Sequence, residues 1–455
     1  MNDLFKYDML ELLRDKVAKF VIIAGFIGIA LAVATGSNWL SHLENNAQST
    51  QEQHAKYRAE QRAKWVIADE MKEAEALILP VALVTSVQLP VPLLADFTIG
   101  RSSIEPTSAE VRQRTRSDNI FTRYQVENPE RLWRGALDMS FYVVVIAPLL
   151  LIGVGYGVYT HDRETGRARL WLSQAGSPVR LIVIRSLNRL ALVFIPILIG
   201  AIMLALLGPS GRMGDISAWL GLAGLGLLFW WSLILLINTL AIRAETAAFT
   251  LIGFWALLVF VAPMAILTTT QLINPPPSKF EAITTARAAE IQSVRIYDDD
   301  HPTLSSSTVE GRLSRLEKSI EVRKAVAEAI RPILEQQTKL EAQQESITNR
   351  LAFLSPPTII ADKLAKTART DDETFDQYRL QAGEYVNLLS AELTKAITGN
   401  GDIAQRINGD TFDALPIYQP SLRPYSLAWS SFWFLLITSI LLAISFIRYR
   451  QLSPI

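Results

Sequence analysis

Few residues in this 455-residue chain have the type and spacing for catalytic chemistry. Cysteine is absent, which removes disulfides, thiolate metal sites and thiol nucleophiles. The four histidines, His42, His54, His161 and His301, are scattered, and no pair has metal-ligand spacing. YDDDHP at 297–302 offers three carboxylates and an imidazole. Divalent sites usually draw ligands from several segments, so a solvated loop accounts for it better. GPSGRMGD at 208–215 lacks the lysine of a phosphate-binding loop and reads as a turn between two apolar runs. No GxSxG, HExxH or dinucleotide fingerprint occurs. The segment that could meet a partner is HDRETGRARLWLSQAGSPVR, 161–180. Arg163, Glu164, Arg167 and Arg169 precede Leu170, Trp171 and Leu172, and Ser177-Pro178 can open the next helix. Charged flanks around large apolar residues suit docking into a groove on a soluble protein. A re-entry loop with Trp171 at the lipid interface fits the same residues equally well.

The elements that would position this segment are membrane spans. Half of the chain is apolar and only 19% charged, and the apolar residues gather in blocks. Six runs are long enough to cross a hydrocarbon core of about 30 Å as helices. They fall near 20–40, 139–160, 190–208, 216–242, 247–273 and 425–447, which excludes a soluble enzyme. Residues 1–19 read as an amphipathic helix on a membrane face, with Leu4, Phe5, Met9, Leu12, Leu13 and Val17 at helical spacing. AVA at 32–34 resembles a signal-peptide cleavage site, but the acidic Asp3, Asp8, Glu11 and Asp15 argue against one. No span carries a charge at its core, so coupling to an ion gradient is disfavoured. Pro148, Pro196 and Pro263 are ordinary for membrane helices.

Two polar blocks interrupt the spans, 41–135 and 274–424. In the first, 44–76 should be a helix rising from span one, and the proline-punctuated stretch 77–98 extended segments packed in the domain or on the bilayer surface. In the second, Val309 to Leu354 keep helical spacing around Pro332, predicting one kinked helix or two, and a helical hairpin or short coiled coil. TDDETFD near Asp371 should start a helix. Basic residues flanking the spans orient the chain. Lys6, Arg14, Lys16, Lys19, Arg163, Arg167, Arg169, Arg180, Arg185, Arg189, Arg243, Arg448 and Arg450 fall on one side, against the single Arg212 in the short opposite loop. Both termini, the segment 161–189 and the tail 448–455 are therefore expected in the cytoplasm and both polar blocks outside. Trp39, Trp219, Trp429 and Trp433 sit near span ends, as an interfacial belt would. The expected fold class is an all-α polytopic membrane protein with a largely helical outer domain built from two insertions.

An amphipathic N-terminal helix, six spans and a Glu-x-Gly loop after span two resemble the ABC-2 type permeases of ATP-binding-cassette exporters. The resemblance is greatest to the bacterial subgroup with a large extracytoplasmic domain of uncharacterised function. It rests on LPVPLLADFTIGRSSIEP (89–106), ENPERLWRGALDMSFYVVVIAPLLL (127–151), DRETGRARLWLSQAGSPVRL (162–181), NPPPSKFE (274–281) and LSPPTIIADKLAKTARTDDETFDQY (354–378). It implies a non-catalytic subunit of the bacterial inner membrane, with its large domains in the periplasm. Such a subunit pairs with a second copy or a sister permease and with two copies of a separate ATPase that binds ATP and Mg. A periplasmic partner and membrane lipid are further expected contacts, and nucleic acid is not. The family's coupling helix would fall on Glu164, Gly166, Arg169, Leu170, Leu172, Ser173, Gln174 and Ser177, with Trp171 in its apolar ridge. Residues 1–19 would be its elbow helix. Arg167-Ala168 replaces the usual Thr-Leu and Ala175 a usual proline, which puts docking strength and partner choice in doubt. The competing expectation is a membrane scaffold or signalling protein whose helical outer domain binds a ligand without transport.

Overall fold

The computed structural model describes residues 2–117, 120–121, 137–168, 178–241, 243–275, 279–302, 304–305, 308–422, 424 and 428–451. They are predominantly helical, and six helices are long and apolar enough to cross a membrane: Lys16–Val66, Met139–Glu164, Val179–Leu207, Met213–Leu240, Ala244–Ile273 and Ser431–Arg450. We number these spans one to six. Helix α1, Asn2–Arg14, meets the span-one helix at Asp15, whose extended backbone and side chain cap the Val17 N–H and set the bend. The span-one helix then runs unbroken to Val66, so the polar helix expected after span one is its direct continuation.

Spans one to four share a core with span six: Val21, Ile29, Tyr142, Leu151, Ile197, Leu204, Trp219, Leu235 and Phe434 are buried together. Span five is the outlier, with few buried residues and a row of exposed ones including Phe249, Phe260, Met264 and Leu272. Spans two and five repeat one local device. Each contains a π-helical turn, Tyr142–Ile146 and Leu257–Val261, followed by an alanine and then a proline, Pro148 and Pro263. A π-turn pairs each carbonyl with the N–H five residues on, and for Leu258 that residue is Pro263, which has none.

The second polar block supplies the missing donor. Helix α2, Lys279–Asp300, and α3, Val309–Leu351, form an antiparallel hairpin, with Tyr297 Oη donating to the Ser314 carbonyl at 3.0 Å. α3 is a single helix with Pro332 inside it. Its end runs beside span five, where Thr348 and Thr270 hydroxyls lie 3.3 Å apart. Ser355 Oγ then donates to the Leu258 carbonyl at 2.7 Å. Leu258 lies fourteen residues into span five, about 20 Å along it. Helix α4, Pro356–Ala368, begins there and climbs back along span four, with Ile360 against Gly226. The block thus dips into the bundle to mid-span before returning.

Beyond the spans, the two blocks build one domain. Trp65, Leu77, Val87 and Val111 from the first share a core with Phe375, Tyr378, Leu389, Leu393 and Phe412 from the second. Most of the latter lie on α5, Asp372–Thr398, which the TDDETFD run does open. Within 77–98 the extended segment is strand β1, Val84–Gln88, paired antiparallel with β2, Ser108–Arg112, in the register Ser86 to Glu110. This pair is the strand content of the otherwise helical described residues.

Candidate functional site

At the end of the bundle that carries both α1 and the end of span six, polar residues from three elements converge. Asp8 is buried on α1, one turn before the buried Leu12. Its Oδ1 accepts from Arg185 Nε at 3.1 Å, and its Oδ2 accepts from Asn188 Nδ2 at 2.7 Å. Arg185 also donates from Nη1 to Asp162, just before the Glu-x-Gly motif. Arg189 lies 3.6 Å from Asp8 and donates to the carbonyls of Val154 and Arg185 at 2.9 and 2.7 Å. Two carboxylates thus face two guanidiniums, and each ion is mostly out of solvent. Such a cluster is costly to break, because any lost partner strands a buried charge.

The motif residues continue this framework. Glu164 Oε1 accepts from the Ala244 N–H at 3.0 Å, at the first turn of span five. A carboxylate there satisfies an otherwise unpaired donor and meets the positive end of the helix dipole. Gly166 adopts φ +74°, a left-handed conformation that favours glycine, and ends the short helix begun at Thr160. Arg169, Leu170, Trp171, Leu172, Ser173, Gln174 and Ser177 lie outside the described residues. Asn238, fully buried in span four, binds the frayed end of span two: Nδ2 donates to the Gly155 carbonyl at 3.2 Å, and Oδ1 accepts from the Tyr159 N–H at 3.3 Å. Tyr449 of span six packs edge-on against Tyr159 and donates to the Leu235 carbonyl at 3.1 Å.

Sequence reasoning singled out Glu164 and Gly166 and placed Arg185 and Arg189 at the inner end of span three, but did not anticipate Asp8 and Asp162 as the partners of Arg185 or the contacts of Asn238 and Tyr449. Asp8 left a signal: it lies four residues from both Leu4 and Leu12, a carboxylate on the apolar stripe of α1. Asn238 left none, since an amide near a span end is unremarkable in a single sequence.

The opposite end of the bundle has its own lock. Asp96 and Arg212 form an ion pair at 2.8 Å with side chains 1% and 2% exposed. Arg212 also donates to the Leu93 carbonyl at 2.9 Å and to that of Leu204. Burial pushes the Asp96 carboxyl up, and Arg212 pulls it back. Gly36 of span one lies so close to the Asp96 carbonyl that a Cβ would collide with it. Trp219 Nε1 donates to Thr98 Oγ1 at 3.0 Å, and Trp39 Nε1 to Ser102 Oγ at 2.8 Å. Trp219 is therefore a buried anchor and not part of an interfacial belt, whereas Trp433 is exposed as a belt residue would be. Asp138 caps span two by accepting from the Phe141 N–H at 2.7 Å and accepts from the Ile99 N–H at the same distance. Burial holds its carboxyl up at about 6.

Fold and site together define a multi-pass membrane protein whose outlying domain is pinned to the span bundle at several points. Residues 285–421 match a family described as a domain of unknown function, DUF3526, a stretch from within α2 through α3, α4 and α5. No curated protein and no solved structure matches the chain. Among the described residues no group of His, Cys, Asp and Glu could hold a metal ion.

Proposed function

We propose that this chain is the permease subunit of an ABC-2 type exporter in the bacterial inner membrane. In this reading the end bearing the Asp8–Arg185–Asp162 cluster faces the cytoplasm and the two-block domain faces the periplasm. A second permease and two ATPase subunits complete the assembly, and ATP and Mg bind the latter. The observation that carries the reading is Arg185, which ties the N-terminal helix, span three and the residues just before the Glu-x-Gly motif into one hydrogen-bonded unit. Glu164 extends that unit to span five. A push on the segment 165–177 would therefore reach spans two, three and five together, as a bistable span bundle biased by nucleotide requires. At the far end, the Asp96–Arg212 pair and the Asp138 cap would pass the movement to the periplasmic domain, for export or for work on a partner there. The unpaired charge of a proton or ion carrier is not needed, because energy enters from the ATPase.

The test is a triple substitution of Leu170, Trp171 and Leu172 to Asp, read as ATP hydrolysis in the purified assembly. The reading expects the ATPase to copurify with the parent chain, and hydrolysis to lose its dependence on the permease in the variant. Unchanged hydrolysis with assembly intact would remove the coupling role, and failure of any ATPase to copurify with the parent would remove the whole reading.

A further inference from the structure

Among the described residues strand β1 is paired on one side only. The Leu89 N–H donates to the Thr107 carbonyl at 2.8 Å and so faces the β2 side. In an antiparallel ladder this turns the amides of Thr85 and Val87 the same way and those of Val84, Ser86 and Gln88 outward. None of these outward N–H and C=O groups has a partner among the described residues. Natural proteins usually blunt such an edge with lysine, proline or a bulge, and VTSVQ contains none of them.

A cavity of about 650 Å³ runs along β1. His54 and Arg58 on the span-one helix line one wall, and Tyr385, Ile417 and Tyr418 another. Tyr418 Oη is buried without a hydrogen-bond partner. Among the described residues the ionisable lining groups apart from tyrosines are His54 and Arg58, and none of them is a carboxylate. The nearby carboxylates lie outside it: Glu110 is opposite Ser86 on β2, and Asp413 is held by Arg62 at 2.7 Å.

We propose that this groove binds an extended polypeptide segment, apolar in alternate positions and ending in a carboxylate, as a third strand on β1. Strand addition satisfies the outward amides of Val84, Ser86 and Gln88 with backbone donors and acceptors, while the pockets beside them select side chains. An acyl chain of similar size would fill the apolar walls but leave those amides unpaired, which favours the peptide. Arg58 supplies the complementary charge for the carboxylate, and His54, whose charged form burial disfavours, offers a ring N–H. Five residues in strand geometry span roughly 17 Å, so a short segment suffices. The proposal goes beyond the permease reading and stands without it, because binding is read on this chain alone with no ATPase present.

The experiment uses the full chain in lipid nanodiscs and a panel of fluorescein-labelled heptapeptides that alternate Val or Leu with Thr and end in Glu with a free carboxylate. Each has a counterpart N-methylated at alternate residues, which keeps the side chains but removes the strand-pairing N–H groups. The expected result is saturable binding. Methylation in the register that faces β1 should weaken it about tenfold or more, the cost of two hydrogen bonds near 1 kcal/mol each. Arg58→Gln should weaken the free-acid peptides several-fold and leave their C-terminal amides unchanged. Ser86→Pro should abolish binding, and the methylated peptides give the same readout on the unaltered protein should that variant misfold. Equal binding of methylated and unmethylated forms overturns the proposal, as does no saturable binding across the panel. Saturable binding of oleate with none of the peptides overturns it too, in favour of a lipid site.

Discussion

At the residue scale, the two ends of the bundle are held by buried charges of different exposure. Arg185 serves two carboxylates at once, so its loss strands Asp162 and leaves Asp8 to Arg189 and Asn188. We expect Arg185→Met to cost about 3 kcal/mol, read as thermal unfolding in detergent. The double variant that also carries Asp162→Asn should recover most of it, since Asp8 keeps Arg189 at 3.6 Å and no buried charge is left without a partner. No recovery would mean that the cluster acts through shape and not charge. Asp138 gives a pH signature. Its folded-state value of about 6 lies above the ordinary 3.8 because burial disfavours the carboxylate, although the Phe141 and Ile99 N–H groups pull it down. A raised carboxyl favours the protonated protein, so ionisation erodes stability as pH climbs from about 4 through 6 and adds nothing further above. Asp138→Asn does not titrate. The stability difference between variant and parent should therefore move in favour of the variant by about 1 kcal/mol from pH 5 to pH 7.5. A difference independent of pH would show that the two backbone donors offset the burial.

At the element scale, the proline spacing in spans two and five is what places the return of the second block. Six charge-free runs were legible because hydrocarbon thickness sets helix length directly, and each overlaps one of the six long apolar helices. The helix of span three begins at Pro178, ahead of its charge-free run, so Arg185, Asn188 and Arg189 lie on it. The dip of Ser355 and α4 was not legible. PPTIIADKLAKTA has the composition of an amphipathic surface helix, and nothing in single-chain hydropathy reports depth. The clue lay in pairing two distant features: a serine before two prolines in one segment, and a proline that leaves a carbonyl free in another. Ser355→Ala should cost about 1 kcal/mol, the typical worth of a hydrogen bond whose acceptor cannot otherwise be satisfied in lipid. Ser355→Thr should cost less, because the hydroxyl survives. The same substitutions made with Pro263→Ala, which restores an N–H to span five, should lose most of their effect. An undiminished cost in that background would assign Ser355 to capping α4, whose Thr358 N–H it also accepts at 3.4 Å.

At the scale of the whole molecule, the domain outside the spans is a single body made from segments about 300 residues apart. The core of Trp65, Val87 and Val111 against Phe375, Tyr378 and Phe412 could not be read from the sequence, because each half alone looks like an ordinary polar block with scattered apolar residues. The halves are also joined at the surface by Arg62 and Asp413, in a two-pronged contact with Nε and Nη2 each donating. The energetics of the two contacts differ in kind. The ion pair is half exposed on both sides and screened by solvent, so Arg62→Ala should cost under about 1 kcal/mol. Trp65 is fully buried against Phe412 at 5.4 Å, and Trp65→Ala should cost about 3–5 kcal/mol through the cavity it leaves. Because burial and not chain connectivity holds the body together, cutting the chain between α2 and α3 should not separate it. A protease site inserted after Leu304, which is exposed at the turn of the hairpin, should cleave to completion in native detergent micelles. The two fragments should then comigrate on size exclusion, with the thermal unfolding midpoint close to that of the uncut chain. Trp65→Ala should release the fragments at a lower temperature, and Arg62→Ala should not. Immediate separation of the fragments after cutting would show that this shared core, together with the packing of span six and α4 on the bundle, is weaker than its buried residues require, and that chain connectivity keeps the protein whole.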